Sequence, residues 1–441
     1  MPKLSMRRYK EQLSRQLYNF LLWLLLPFAL GRLYWKSRAN PAYRSRILER
    51  FSLGLPKLNG CILVHAVSVG ETVAALPFVE KLLLEFPSRD ILLTSTTPTG
   101  FDRVTALFNG QVEQCFLPFD TNRFASKLLR QTRPAVVIVI ETEIWPNLIH
   151  QCHRRKIPVL LANARLSERS FHGYRKLAWL LSPTLKKISV IASHAKPDQK
   201  RFLELGADPT RTHTIGSIKF DLRLPAALDQ QKRELLQTLP HKPFIWVAAS
   251  THEGEEELII KSVQKIRAAC PHSLCILVPR HQERFESVAR LLNEHGMDYQ
   301  RFSLDRTLPK DTSLLLGDTM GQLMLFYAVA DAAFIGGSFV PIGGHNVLES
   351  LACKTATLVG PHMFNFQTIH DLLMADKAII QIQDWEQLAD QLLRLSNNHL
   401  LRNRIAERGE AVVQANRGAL DRLVSITHRL VDSGDSESQR P

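Results

Sequence analysis

The chain has 441 residues, 45% hydrophobic and 22% charged, a balance that excludes an intrinsically disordered protein. That length exceeds one ordinary core, so two domains are expected. Lys and Arg outnumber Asp and Glu by 56 to 42, a net charge of +14, which favours anionic partners: nucleic acid, anionic lipid headgroups or phosphorylated substrates. The sequence has neither an RNP-like aromatic motif nor a C-x-x-C…H-x-x-x-H pattern, so nucleic acid is not expected as a partner. Its six cysteines form no C-x-x-C pair, and several sit in apolar runs such as Cys61-Ile-Leu-Val and Cys275-Ile-Leu-Val. They read as small core residues in a reducing compartment, neither a disulfide framework nor a zinc site.

The first element is Gln16 to Gly31, QLYNFLLWLLLPFALG, which carries no charge. Lys3, Arg7, Arg8, Lys10 and Arg15 precede it; Arg32, Lys36, Arg38, Arg44 and Arg46 follow. As a helix this stretch reaches about 24 Å, short of a roughly 30 Å hydrocarbon core. No small-x-small cleavage site follows Gly31, and positive charge on both sides gives no inside–outside asymmetry. Residues 1–35 are expected to form a membrane-associated anchor, lying in or dipping into the cytoplasmic leaflet with basic flanks on anionic lipid. A buried helix of the soluble body and a full span are the alternatives.

From about residue 60, short apolar runs alternate with amphipathic ones. Strands are expected at Cys61–Ser68, Ile91–Thr97, Ala135–Ile140, Val159–Ala162 and Val190–Ser193, with helical patterns such as Val73–Phe86 and Arg123–Gln131 between them. Around Asp221–Lys242 the pattern breaks, then resumes with Phe244–Ala249, Leu274–Val278, Ser313–Leu316, Ala332–Ile335 and Ala356–Val359. Alternation of this kind calls for parallel sheets covered on both faces. The expected layout is an N-terminal α/β domain over 36–222, a linker over 223–242, a C-terminal α/β domain over 243–430 and a polar tail over 431–441. Ligands of such sheets bind outside the carboxyl ends of the strands, so residues just past each strand are the candidates.

Gly70-Glu71 falls where the first strand turns into a helix. One reading is that Glu71 serves that helix, since a first-turn carboxylate is stabilised by about 0.3–1 kcal/mol; the alternative is that it does chemistry. Glu141 and Glu143 follow a continuous apolar strand, and at i and i+2 they can lie on one side of an extended chain. One could act on a substrate while the other pairs with Arg165, or both could form a buried salt bridge. Lys219, in GSIKFD, ends the first half. In the second half Arg280 lies just past a strand, where a guanidinium can clamp a phosphate or pair with Glu283. Asp318-Thr319-Met320-Gly321 repeats the strand–turn–helix layout. IGGSFVPIGGHNVLESLACK, Ile335 to Lys354, combines two Gly pairs with a helix start at Asn346-Val-Leu-Glu349, suited to close approach of a nucleotide phosphate, with Glu349 placed to accept ribose hydroxyls. It is neither a Walker A loop nor a G-x-G-x-x-G fingerprint. No D-x-D occurs to grip a diphosphate through Mg²⁺ or Mn²⁺, and neither H-E-x-x-H nor G-x-S-x-G is present.

These pieces, in this order, resemble the 3-deoxy-D-manno-octulosonic acid (Kdo) transferases of lipid A assembly. The matching stretches are HAVSVGET (65–72), LTSTTPTG (93–100), ETEIWPNL (141–148), NARLSERS (163–170), GSIKFD (216–221), VPRH (278–281), GDTMGQL (317–323), GGHNVLE (343–349) and GPHMFNF (360–366). The resemblance implies an α/β GT-B fold, two Rossmann-like doubly wound domains facing a central cleft. It further implies inverting, metal-independent transfer of Kdo from CMP-Kdo to a lipid A precursor, lipid IVA, without a cofactor, on the cytoplasmic side of the bacterial inner membrane. Glu71 then corresponds to the general base, and Glu141 and Lys219 to groups supporting the transition state. Pro279, Arg280, Met320, Gly321, Gln322, Asn346, Val347, Leu348 and Glu349 fall on the CMP-binding stretches. Val347 departs from the proline often found there, which weakens a pre-set helix start. A GT-B-like nucleotide-sugar epimerase and a non-catalytic lipid-binding paralogue are the alternative readings.

Overall fold

Strands buried on both faces need apolar residues at every position, and the continuous runs of the sequence become the centres of two all-parallel sheets. The computed structural model describes residues 2–67, 69–239, 243–304, 308–309 and 311–438. Ser68 of the stretch around Glu71, residues 240–242 of the expected linker and residues 439–441 of the tail lie outside the described residues, as do the side chains of Lys3, Arg7, Arg8 and Lys10.

The chain divides into two units, Met1–Asp221 with Arg417–Pro441, and Leu222–Asn416. The first holds β1 (Ile62–His65), β2 (Ile91–Ser95), β3 (Glu113–Phe116), β4 (Val136–Ile140), β5 (Val159–Ala164), β6 (Val190–Ser193) and β7 (Thr212–Thr214), in the order β3-β2-β1-β4-β5-β6-β7. The second holds β8 (Ile245–Thr251), β9 (Leu274–Pro279), β10 (Tyr299–Arg301), β11 (Leu314–Leu316), β12 (Ala332–Ile335), β13 (Ala356–Val359) and β14 (Ile379–Gln381), in the order β10-β11-β9-β8-β12-β13-β14. Every expected strand forms, most trimmed or shifted by a residue or more. The four that the sequence did not announce, β3, β7, β10 and β14, are the outer strands of the two sheets. They are three or four residues long and partly solvent-facing, so they carry no apolar run.

Period-2 alternation sends neighbours to opposite faces. On β1, Ile62 and Val64 pack with Phe78 and Leu82 of the helix Val69–Glu85, while Leu63 packs with Leu128 and Ile149 on the other face. The terminal helix Ala419–Ser438 closes the first of these faces with Leu423 and Val424. Its start is capped by Asp221, whose carboxylate accepts the N–H groups of Gly418 (2.5 Å) and Leu420 (2.7 Å). Most of this helix falls within the expected C-terminal domain over 243–430, but its packing is with the first unit. The expected linker is also largely structured: the helix Leu228–Thr238 belongs to the second unit.

The N-terminal segment is one helix, Pro2–Ala39, running through Pro27. It is longer than the uncharged stretch, and over Glu11–Arg38 it is long and apolar enough to cross a membrane. One face is fixed to the first unit: the Tyr18 hydroxyl donates to Asp120 Oδ2 at 3.1 Å, Asn147 donates to Asn19 Oδ1 at 3.0 Å, and the Trp23 and Phe124 rings lie 5.7 Å apart. The outer face exposes Leu13, Leu17, Phe20, Leu24, Phe28 and Trp35, an i, i+3/i+4 stripe. It is therefore not a buried helix of a soluble core.

Candidate active site

In doubly wound sheets the crevice opens where the strand order reverses. The reversals fall between β1 and β4 in the first unit and between β8 and β12 in the second.

Glu71 lies in the first turn of the helix that follows β1. Its Oε2 accepts the Val67 N–H at 2.5 Å, and the Val67 carbonyl accepts the Thr96 N–H at 3.4 Å and the Thr96 hydroxyl at 3.3 Å. The loop carrying Glu71 is thus tied to the loop after β2, which Arg50 holds in turn by donating to the Thr96 carbonyl at 2.9 Å. Beneath it sits His65, fully buried, with Nδ1 2.9 Å from Thr94 Oγ1, Nε2 without a partner and the ring edge-on to Trp145. Burial pushes its pKa down to about 4, so the imidazole is neutral.

Glu141 directly follows β4 with φ +62°, the left-handed region, which for a non-glycine residue is strained. Thr142 is pinned on both sides, its hydroxyl donating to the Arg165 carbonyl and its carbonyl accepting the Tyr174 hydroxyl at 3.2 Å. No ion pair joins Arg165 to Glu141 or Glu143 among the described residues, and the guanidinium acts on Lys219 instead. Lys219 sits in the 3₁₀ turn Ile218–Phe220. Its ammonium is lowered in pKa by burial first, opposed by the Glu141 charge and reinforced by Arg165. Glu141, Arg165 and Lys219 therefore share one electrostatic neighbourhood. Glu143 is raised by burial and then by Glu141.

In the second unit the loop after β12 is organised by a residue that the sequence did not single out. Glu255, 0% exposed at the start of the helix Glu255–Ala269, accepts the N–H groups of His252 (2.9 Å), Gly337 (2.7 Å), Ser338 (3.1 Å) and Phe339 (2.9 Å). Gly336 has no room for a side chain: a Cβ would stand 2.6 Å from the Ser250 carbonyl oxygen. Above it, His345 stacks parallel to His252 with their Nε2 atoms 2.7 Å apart, and His281 meets His252 edge-on. Burial, then Arg280, His252 and His281, push His345 down to about 4.

Arg280 is exposed just past β9, and its main-chain N–H donates to Thr251 at 3.0 Å. It makes no ion pair with Glu283 among the described residues; its charge acts on His345, His252 and Glu349. Glu349 is raised by burial, opposed by Asn346, which donates to Oε1 at 3.0 Å, and by Arg280. The helix here begins at Leu348, with Asn346 Oδ1 accepting the Leu348 N–H at 3.1 Å. Val347 and Leu348 are 0% exposed: their side chains belong to the core, leaving only main chain for a ligand. Pro279 is likewise buried, while Met320 is exposed beside Gly321, whose φ is +82°. Among the described residues no three His, Cys, Asp or Glu side chains converge as a metal-ligand set.

The chain is 39% identical over 419 residues to the 3-deoxy-D-manno-octulosonic acid transferase of Haemophilus influenzae, covering 93% of this chain and 97% of that protein. It belongs to the Kdo transferase family. Residues 45–222 match the family model for 3-deoxy-D-manno-octulosonic-acid transferase (kdotransferase), so this Kdo transferase is a glycosyltransferase enzyme. Its fold is shared with a glycosyltransferase from Rickettsia africae (TM-score 0.53, 14% identity, 85% of this chain and 99% of that one). A UDP-GlcNAc 2-epimerase from Neisseria meningitidis is equally similar (TM-score 0.55, 12% identity, 83% and 99%). The GT-B fold thus spans transferases and epimerases, and the sequence relationship decides between them.

Proposed function

We propose that this Kdo transferase moves Kdo from CMP-Kdo to a lipid A precursor, lipid IVA, with inversion at the anomeric carbon and without a metal. The observation that carries the reading is the position of Glu71, in the first helical turn at the strand-order reversal of the first sheet, with one carboxylate oxygen held by the Val67 N–H. Glu71 takes the proton of the acceptor hydroxyl, which needs an approach of about 3 Å. The hydroxyl oxygen bonds to the anomeric carbon as the bond to the CMP phosphate oxygen breaks, and CMP leaves as a phosphate monoester. Glu141 and Lys219 support the developing charges. Arg280 and the main chain of Asn346–Glu349 balance the charge on the departing nucleotide, Glu349 takes ribose hydroxyls, and Pro279, Met320, Gly321 and Gln322 complete the donor contacts. The D-x-D grip of metal-dependent enzymes is missing from the sequence, which supports charge neutralisation by side chains. The apolar stripe of the N-terminal helix, with the basic residues around it, suits attachment to anionic lipid on the cytoplasmic side of the inner membrane, where a lipid acceptor resides.

The test is purified protein with CMP-Kdo and lipid IVA, followed by mass spectrometry of the lipid. The expected product is lipid IVA plus Kdo, formed equally in EDTA. Activity lost in EDTA and restored only by Mg²⁺ would refute the metal-free mechanism.

A further inference from the structure

The N-terminal helix is not seated flush on the first unit. Between Leu22, Leu26 and Ala29 of the helix and Leu117, Phe119 and Trp145 of the body lies a cavity of about 230 Å³. Its walls are largely hydrocarbon, so it offers little to water, which needs two to four polar partners. Its one acid, Asp120, is already engaged by Tyr18 and by the N–H groups of Asn147 and Leu148. Two donors are not engaged. Arg50 is 5% exposed, places its guanidinium 4.3 Å from the centre of the Phe116 ring, and leaves Nε without an acceptor; Trp145 Nε1 is also without one. A buried donor left unpaired is costly. An occupant that fits is therefore a hydrocarbon chain bearing an acceptor oxygen. The cavity adjoins the reaction site. Thr96 lines it, Thr96 donates to the Val67 carbonyl, and Val67 donates to Glu71.

We infer that this cavity holds one ester- or amide-linked acyl chain of the lipid acceptor, the chain lying between the N-terminal helix and the body and its carbonyl or hydroxyl oxygen accepting from Arg50 and Trp145. This rests on the reading that the acceptor is an acylated lipid. It gives the N-terminal helix a second role, as one wall of a substrate site. An acyl chain seated there would fix the sugar headgroup relative to Glu71, and positioning of that kind lowers the barrier without touching the reacting atoms.

Ala29→Phe fills the cavity, and Leu400→Phe, 67% exposed on the helix His399–Ala415 of the second unit, is the control. With lipid IVA as acceptor, Ala29→Phe should raise the acceptor KM at least tenfold, leaving kcat and the CMP-Kdo KM within twofold; Leu400→Phe should change none of them. With the fully deacylated acceptor, wild type and Ala29→Phe should behave alike. An unchanged lipid IVA KM, or equal losses with both acceptors, would overturn the inference. An arm independent of turnover uses dodecyl phosphate brominated near the chain end as a quencher of tryptophan fluorescence. The quenching lost on Trp145→Phe should also be lost on Ala29→Phe, and its persistence in Ala29→Phe would count against the cavity. Quenching that behaves as expected in a protein with no transferase activity would leave the cavity standing and sink the proposed reaction instead.

Discussion

His65, fully buried, and His345, half-buried, lie one in each unit among the loops that carry the candidate site residues, and desolvation is the first cause of each pKa falling to about 4. An unfolded histidine titrates near 6.5, so between about pH 4 and 6.5 the unfolded chain binds more protons than the folded one. Stability therefore rises with pH across that window: the contribution is whole above 6.5 and lost as pH falls towards 4. The urea midpoint should drop measurably between pH 7 and pH 5, and His345→Gln should reduce the drop; an identical drop in the variant would show that His345 does not titrate as its burial requires. At this scale the sequence pointed to Glu141 and Arg280, directly past apolar strands, and to Glu71, in the first helical turn after β1, because strand ends mark the ligand edge. It did not reveal the His252–His345 stack, whose members lie 93 positions apart. Nor did it separate Val347 and Leu348, whose side chains fill the core, from Asn346 and Glu349 beside them, because the helix starts two residues later than its glycines suggest.

Among elements, the helix Glu255–Ala269 and the loop after β12 are joined through one buried carboxylate that neutralises four main-chain donors. In the sequence Glu255 is one of a run of first-turn acids, Glu255-Glu-Glu257, indistinguishable from a solvated helix start; only the return of β12 beside β8 brings the loop to it. Glu255→Ala leaves those donors without an acceptor, and the expected cost is about 3–5 kcal/mol of stability, read as a lower midpoint in urea. A change under about 1 kcal/mol would show that the loop repairs itself with water. The central strands were legible for the opposite reason: burial on both faces writes them as apolar runs that no local partner needs to explain. The outer strands take their structure from a neighbour's free edge, which their own three or four residues do not record.

For the whole molecule, the alternation of runs was enough to give two doubly wound units, but not where the chain passes from one to the other. The final helix returns to the first unit because Leu423 and Val424 find their apolar partners there and Asp221 caps its start, contacts about 200 residues apart. The sequence marks the N-terminal segment as apolar with basic flanks, yet only the structure shows one face fixed to the body and the other bare. The proposed role of Glu71 as the base is tested by the turnover of Glu71→Gln with CMP-Kdo and lipid IVA. Glutamine keeps the size and an oxygen for the Val67 N–H but is not basic. A general base at this position requires a fall of roughly 10²–10⁴-fold in kcat with CMP-Kdo affinity and melting temperature nearly unchanged. Full turnover with a slightly lower melting temperature would contradict it, and would leave Glu71 as a residue that serves only its helix.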